Sequence, residues 1–106
     1  MLDAQILALD LIRCLRPLVE RLRVADADLA RQLARAASSI SLNLAEGTRR
    51  HGADKRRAYR IAAGEAQEVR AALEVAAAWG LVDDAALAAA RTLAYRVGGV
   101  THVLAR

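Results

Sequence analysis

The sequence predicts an all-α protein, an antiparallel up-down-up-down four-helix bundle forming one domain over residues 1–106. Three observations lead there. Alanine and leucine dominate, proline occurs once and phenylalanine never, which is a composition of strong helix formers. Apolar residues recur at helical spacing along four segments. Only short connections, marked by aspartate or glycine, separate those segments, so neighbouring helices must run antiparallel. A chain of 106 residues buries about 60–70% of its unfolded surface, enough for one core without staples.

The first helix is expected over residues 3–23. Its core stripe is Leu7, Leu11, Cys14, Leu18 and Leu22, with Leu9, Ile12 and Val19 on the far side. Pro17 removes a backbone donor and crowds the carbonyl of Arg13, so a kink is expected there. Val24–Asp28 connects to the second helix, with Asp26 or Asp28 as its N-cap. That helix runs to about Glu46 on a stripe of Leu29, Leu33, Ala36, Ala37, Ile40 and Leu44. Gly47 stands where a C-cap glycine is expected, and Leu42 projects away from the stripe.

A loop is expected over Thr48–Ala53, with Gly52 as a turn signal and Asp54 as a cap. The third helix spans about 54–79 on Ala58, Ala62, Ala66, Val69, Leu73 and Ala76, with a second apolar strip of Ile61, Ala72, Val75 and Trp79. Gly64 costs about 1 kcal/mol against alanine in a helix interior, which points to a tight crossing or a packed neighbour. Gly80 ends this helix. Asp83 or Asp84 caps the fourth, about 84–104, whose stripe is Ala86, Ala90, Leu93, Val97, Val100 and Leu104. Gly98-Gly99 is expected to weaken its last turns.

Composition also narrows function. A single cysteine, Cys14, excludes an internal disulfide and suits a reducing compartment. No stretch approaches the ~20 uncharged residues of a membrane span, and no basic region precedes an apolar one at the start. A cytoplasmic protein is expected. The formal charge of +4 permits an anionic partner without requiring one, because fifteen arginines against one lysine also suits a GC-rich genome. Metal and enzyme readings find little support. The only histidines, His51 and His102, belong to no Glu-x-x-His motif, and no serine or cysteine has an activating base nearby in sequence. No cofactor, metal or catalytic residue is assigned.

The segment Ser39-Ile40-Ser41-Leu42-Asn43-Leu44-Ala45-Glu46-Gly47 resembles the Ser-Ile-x-x-Asn-Ile-Ala-Glu-Gly signature of the four-helix bundle proteins encoded in 23S rRNA intervening sequences. Its surroundings are similar too. Arg35-Ala36-Ala37 precedes it, Tyr59-Arg60-Ile61-Ala62-Ala63-Gly64 follows a basic segment, Glu68 comes four residues later, and Gly80-Leu81 leads to the last helix. Two positions depart: Ser41 stands where the family often has proline, and Glu65 where it usually has serine. The resemblance implies a homo-oligomer, typically a pentamer, with a poorly defined function thought to involve RNA or DNA. A more distant likeness is to the accessory proteins of diversity-generating retroelements, which bind nucleic acid and a reverse transcriptase.

Within the signature, Asn43 and Glu46 share one side of the second helix, and Glu65 and Glu68 occupy a similar flank of the third. They form either a polar cluster between helices or satisfied structural groups, with Asn43 bonding backbone or a neighbouring subunit and Glu46 pairing with an arginine. The candidate binding surface is basic: Arg49, Arg50, Lys55, Arg56, Arg57 and Arg60 lie within twelve residues, with Asp54 the only acid among them. Clustered guanidinium groups match a phosphate backbone, and a five-membered ring would gather roughly thirty such groups on one assembly. The opposing reading is a solvated face balanced by carboxylates. The expectation is a non-enzymatic homo-oligomer binding RNA or DNA without sequence readout; the alternative is an adaptor for a protein such as a reverse transcriptase.

Overall fold

The computed structural model describes all residues from Met1 to Arg106. Four helices account for nearly the whole chain: α1 Asp3–Ala25, α2 Ala27–Arg49, α3 Gly52–Ala78 and α4 Asp84–Leu104. They pack side by side into an all-α four-helix bundle measuring 43 × 22 × 20 Å. Each helix lies against the next, and α1 closes the ring against α4. Two cross-helix sets run in opposite chain directions: Gly47 meets Tyr59 while Arg35 meets Glu65 and Glu68. Gly98 similarly meets Gln67 while Arg91 meets Glu74. These pairs make α2/α3 and α3/α4 antiparallel, consistent with the up-down order expected.

The first two connections are shorter than expected, and capping shapes the helix ends. Asp26 alone joins α1 to α2; its carboxylate accepts the Leu29 amide at 3.0 Å, while its own amide donates to the Leu22 carbonyl at 2.6 Å. Asp83 caps α4 by accepting from the Ala86 amide at 2.7 Å. At the end of α3 the Gly80 amide donates to Ala77 and the Leu81 amide to Ala76, both at 3.0 Å, with Gly80 at φ +69°. This pair of hydrogen bonds across a left-handed glycine is a Schellman stop, which a residue with a Cβ adopts only at a cost.

The core stripes of α2 and α3 are those the periodicity predicts, with Ala30, Gly47, Tyr59 and Ala72 added to them. Those of α1 and α4 are rotated by about one residue. In α1 the buried residues are Ala4, Ala8, Leu11, Leu15, Leu18, Val19 and Leu22, while Leu7 and Cys14 are half-buried. Val19 therefore belongs to the core and not to a far side. In α4 Leu87, Ala90, Ala94, Val97, Gly98 and Thr101 are buried, and Val100 is exposed. The Thr101 hydroxyl is satisfied within the helix, donating to the Val97 carbonyl at 2.7 Å. Helix α4 runs unbroken through Gly98-Gly99, and α1 runs through Pro17.

Three glycine and cap readings are corrected. Gly47 is not a C-cap: α2 continues to Arg49, and Gly47 is buried inside the helix with no left-handed φ. Its lack of a Cβ makes room for the ring of Tyr59 on α3. Gly64 has no neighbour within 4 Å of where its Cβ would stand, so it marks no tight crossing within the chain. Asp54 is not the cap of α3; it lies in the first turn, behind the N-cap residue His51 and a left-handed Gly52 at φ +57°. A carboxylate in that turn still favours the positive end of the helix dipole.

Candidate functional site

The tight Arg50–His51 connection brings the C-terminal turn of α2 against the first turns of α3, and both carry arginines. Residues 46–60 hold six of the sixteen basic side chains and two of the twelve acids. The rest of the chain balances, so the entire formal charge of +4 resides in this segment.

The six basic groups fall into three environments. Arg49 and Arg50 converge on one carboxylate: Arg49 Nη2 lies 2.5 Å from Glu46 Oε2, and Arg50 Nε lies 2.6 Å from Glu46 Oε1. Bonds from Arg50, then Arg49, hold the Glu46 carboxyl below the usual carboxylate range. Lys55 reaches back over the Tyr59 ring, its Nζ 5.7 Å from the centroid. Arg56, Arg57 and Arg60 are exposed and form no ion pair. Neutralisation by nearby acids therefore covers part of the cluster only.

Arg56, Arg57 and Arg60 all project from the exposed side of α3, within about 100° of one another. Arg56 and Arg60 stand one turn apart on the same side of α3. Arg57, turned by about 100°, lines an open groove between α2 and α3 with Asn43, Glu46, Arg50, Asp54 and Ile61. Together the three present guanidinium groups around the exposed half of the helix, away from buried Ala58 and Ala62.

The signature residues are separated by the same register. Asn43 Nδ2 donates to the Ser39 carbonyl at 2.9 Å and to Ser39 Oγ at 3.1 Å, so its amide is satisfied within α2. Glu65 and Glu68 join Arg35 three turns away from Glu46, with Arg35 Nη2 bridging both oxygens of Glu68 at 2.7 and 2.8 Å and Nη1 reaching Glu65 at 3.2 Å. The Glu68 bonds, with the charge of Glu65, raise the Arg35 pKa further. The four polar residues thus fall into three arrangements, not one cluster: Asn43 bonds Ser39 within α2, Glu46 pairs with Arg49 and Arg50, and Glu65 and Glu68 pair with Arg35 across helices. No three His, Cys, Asp or Glu side chains stand together as a metal site. Sequence reasoning missed the packing of Tyr59 on Gly47, although Tyr59 opens the quoted Tyr59–Gly64 run, and the pairing of Arg35, whose partners lie thirty and thirty-three residues on.

The arrangement has relatives. The family model for the 23S rRNA-intervening sequence protein matches residues 3–102. The chain belongs to that family. The match to the 23S rRNA-intervening sequence proteins reaches all four helices, α1 and α4 included. A solved structure from Bacteroides thetaiotaomicron, described as a protein with unknown function from the S23 ribosomal protein family, superposes with a TM-score of 0.88. The match covers 97% of this chain and 98% of that one at 17% identity, a likeness of fold. No curated protein matches the sequence. No helix is long and apolar enough to cross a membrane.

Proposed function

We propose that the protein is a binding module that holds RNA or DNA by its phosphate backbone, through the surface of Arg56, Arg57 and Arg60 at the α2–α3 end. The carrying observation is that these three guanidinium groups are exposed and unpaired in the one segment that holds the net charge. Arginine forks match phosphate oxygens, and each phosphate neutralised releases counterions. Arg49, Arg50 and Lys55 flank them as a second tier, restrained by Glu46 and Tyr59. Binding follows charge and shape rather than sequence, because no element here presents a recognition helix of a known groove-reading motif.

The acting unit is a homo-oligomer. Ile61, Val75 and Trp79 recur on one strip of α3 and are 40%, 43% and 75% exposed, and Leu42 on α2 is 69% exposed. Apolar surface of this kind favours a protein contact, and a second copy would multiply the basic segment. The same strip supports the second reading, an adaptor for another protein such as a reverse transcriptase. Native mass spectrometry of the purified protein, with and without an added RNA oligonucleotide, tests both parts. The expected species is a multiple of 11.4 kDa carrying nucleic acid. A bare monomer with no adduct contradicts the proposal.

A further inference from the structure

A second face of α3 extends the basic surface. Arg56, Arg60, Gln67 and Arg70 fall within one strip of the helix, about 21 Å from first to last. The strip leads into an open groove of about 700 Å³ between α3 and α4. Gly98 on α4 lies beside Gln67 and Arg70: a Cβ on it would stand in ordinary contact, 3.4 Å from Gln67 Nε2 and 3.7 Å from Arg70 Cδ. Arg70 is held by Gln67 Oε1 at 3.2 Å, and its guanidinium carbon sits 5.2 Å from the centroid of the Tyr95 ring. Tyr95 is nevertheless 66% exposed. Arg91 closes the far end with a bidentate pair to Glu74 at 2.9 and 3.0 Å, and Arg96 stands exposed and unpaired beside it.

We propose that this groove is a stacking site for an unpaired base of a single-stranded nucleic acid, with the Tyr95 ring and the Arg70 guanidinium plane as the platform. The inference rests on the backbone-binding reading above and adds a strand preference to it. An exposed aromatic ring beside a restrained guanidinium group offers a flat, cationic face of the kind bases stack on. A duplex hides its base faces, so only a strand with splayed bases can use the groove. Continuity with Arg56 and Arg60 suits a polymer with repeated phosphates over a free nucleotide.

Fluorescence anisotropy with a short labelled oligouridylate and a short labelled RNA duplex tests it. Tyr95→Ala is expected to weaken oligouridylate binding about tenfold or more and leave duplex binding unchanged. Tyr95→Phe should restore it, and Arg56→Ala/Arg60→Ala should weaken both probes. Circular dichroism of Tyr95→Ala should match the parent, since the ring is exposed. If Tyr95→Ala leaves the oligouridylate unaffected, or weakens both probes equally, the stacking site is overturned while backbone binding stands. If the parent protein binds neither probe, backbone binding itself fails and the stacking site with it.

Discussion

A methyl group on Gly47 would lie 2.3 Å from Cε1 of Tyr59, well inside contact distance. The two residues interlock where α2 ends and α3 begins, and both are buried. The fit also fixes how the basic first turns of α3 sit against the last turn of α2.

Gly47→Ala is therefore expected to destabilise the fold. Overpacking a buried site costs about 1–3 kcal/mol, against a helix-propensity gain of about 1 kcal/mol. A urea melt should show a net loss. In a Tyr59→Ala background the same substitution has room, and should become neutral or stabilising. An equal loss in both backgrounds would show that the ring is not what excludes the side chain.

Gly64 gives the opposite expectation. Its Cβ position is open and the residue is exposed within a continuous helix. Gly64→Ala should raise stability by about 0.5–1 kcal/mol in a thermal or urea melt. A loss of stability that depends on protein concentration would instead locate this glycine at a contact between copies.

Asp26 is both the sole α1–α2 connector and the α2 cap. Asp26→Ala should cost about 1 kcal/mol, and Asp26→Asn should recover most of it, because a side-chain amide oxygen also accepts a hydrogen bond from the Leu29 N–H. Equal loss in both variants would assign the effect to something other than the cap.

Glu46 couples pH to both stability and charge. Its folded pKa lies below the ordinary carboxylate value, through bonds from Arg50 and Arg49. The same sign holds for Glu74, through Arg91. A depressed folded pKa contributes stability above the unfolded carboxylate pKa and loses it as pH falls through the folded one. Stability should therefore drop on acidification below the ordinary carboxylate range, and less so in Glu46→Gln. At neutral pH that variant frees Arg49 and Arg50, so it should bind RNA more tightly and with a steeper salt dependence than the parent. Weaker binding would mean that Glu46 orients those arginines rather than masking them.

How far the sequence reaches depends on what each helix is made of. The α3 stripe was legible because Ala58, Ala62, Ala66, Val69, Leu73 and Ala76 recur at helical spacing, with Arg56, Arg60, Glu65 and Arg70 off that line. In α1 the two candidate stripes overlap, one through Leu7 and Cys14, the other through Ala4, Ala8 and Leu15. The two stripes lie one residue apart and both are apolar, so periodicity alone does not choose between them. Helix α4 has the same ambiguity, with Ala86 against Leu87 and Leu93 against Ala94. Gly47 was misread because a glycine near a helix end carries a cap signal, while its real partner lies across the bundle. The basic segment was legible as composition. Its division into restrained and unpaired groups was legible in part: Glu46 was expected to pair with an arginine, and it takes both Arg49 and Arg50, one turn on.

The salt dependence of RNA binding tests the central claim most directly. Filter-binding titrations across salt concentration should give a linear fall of log affinity with log salt. Arg56→Ala/Arg57→Ala/Arg60→Ala should flatten that slope by about 2–3 for each engaged subunit, at roughly 0.7–0.9 per phosphate contact. An unchanged slope in the triple variant, or no salt-sensitive binding by the parent protein, would contradict the claim that these three arginines hold the phosphate backbone.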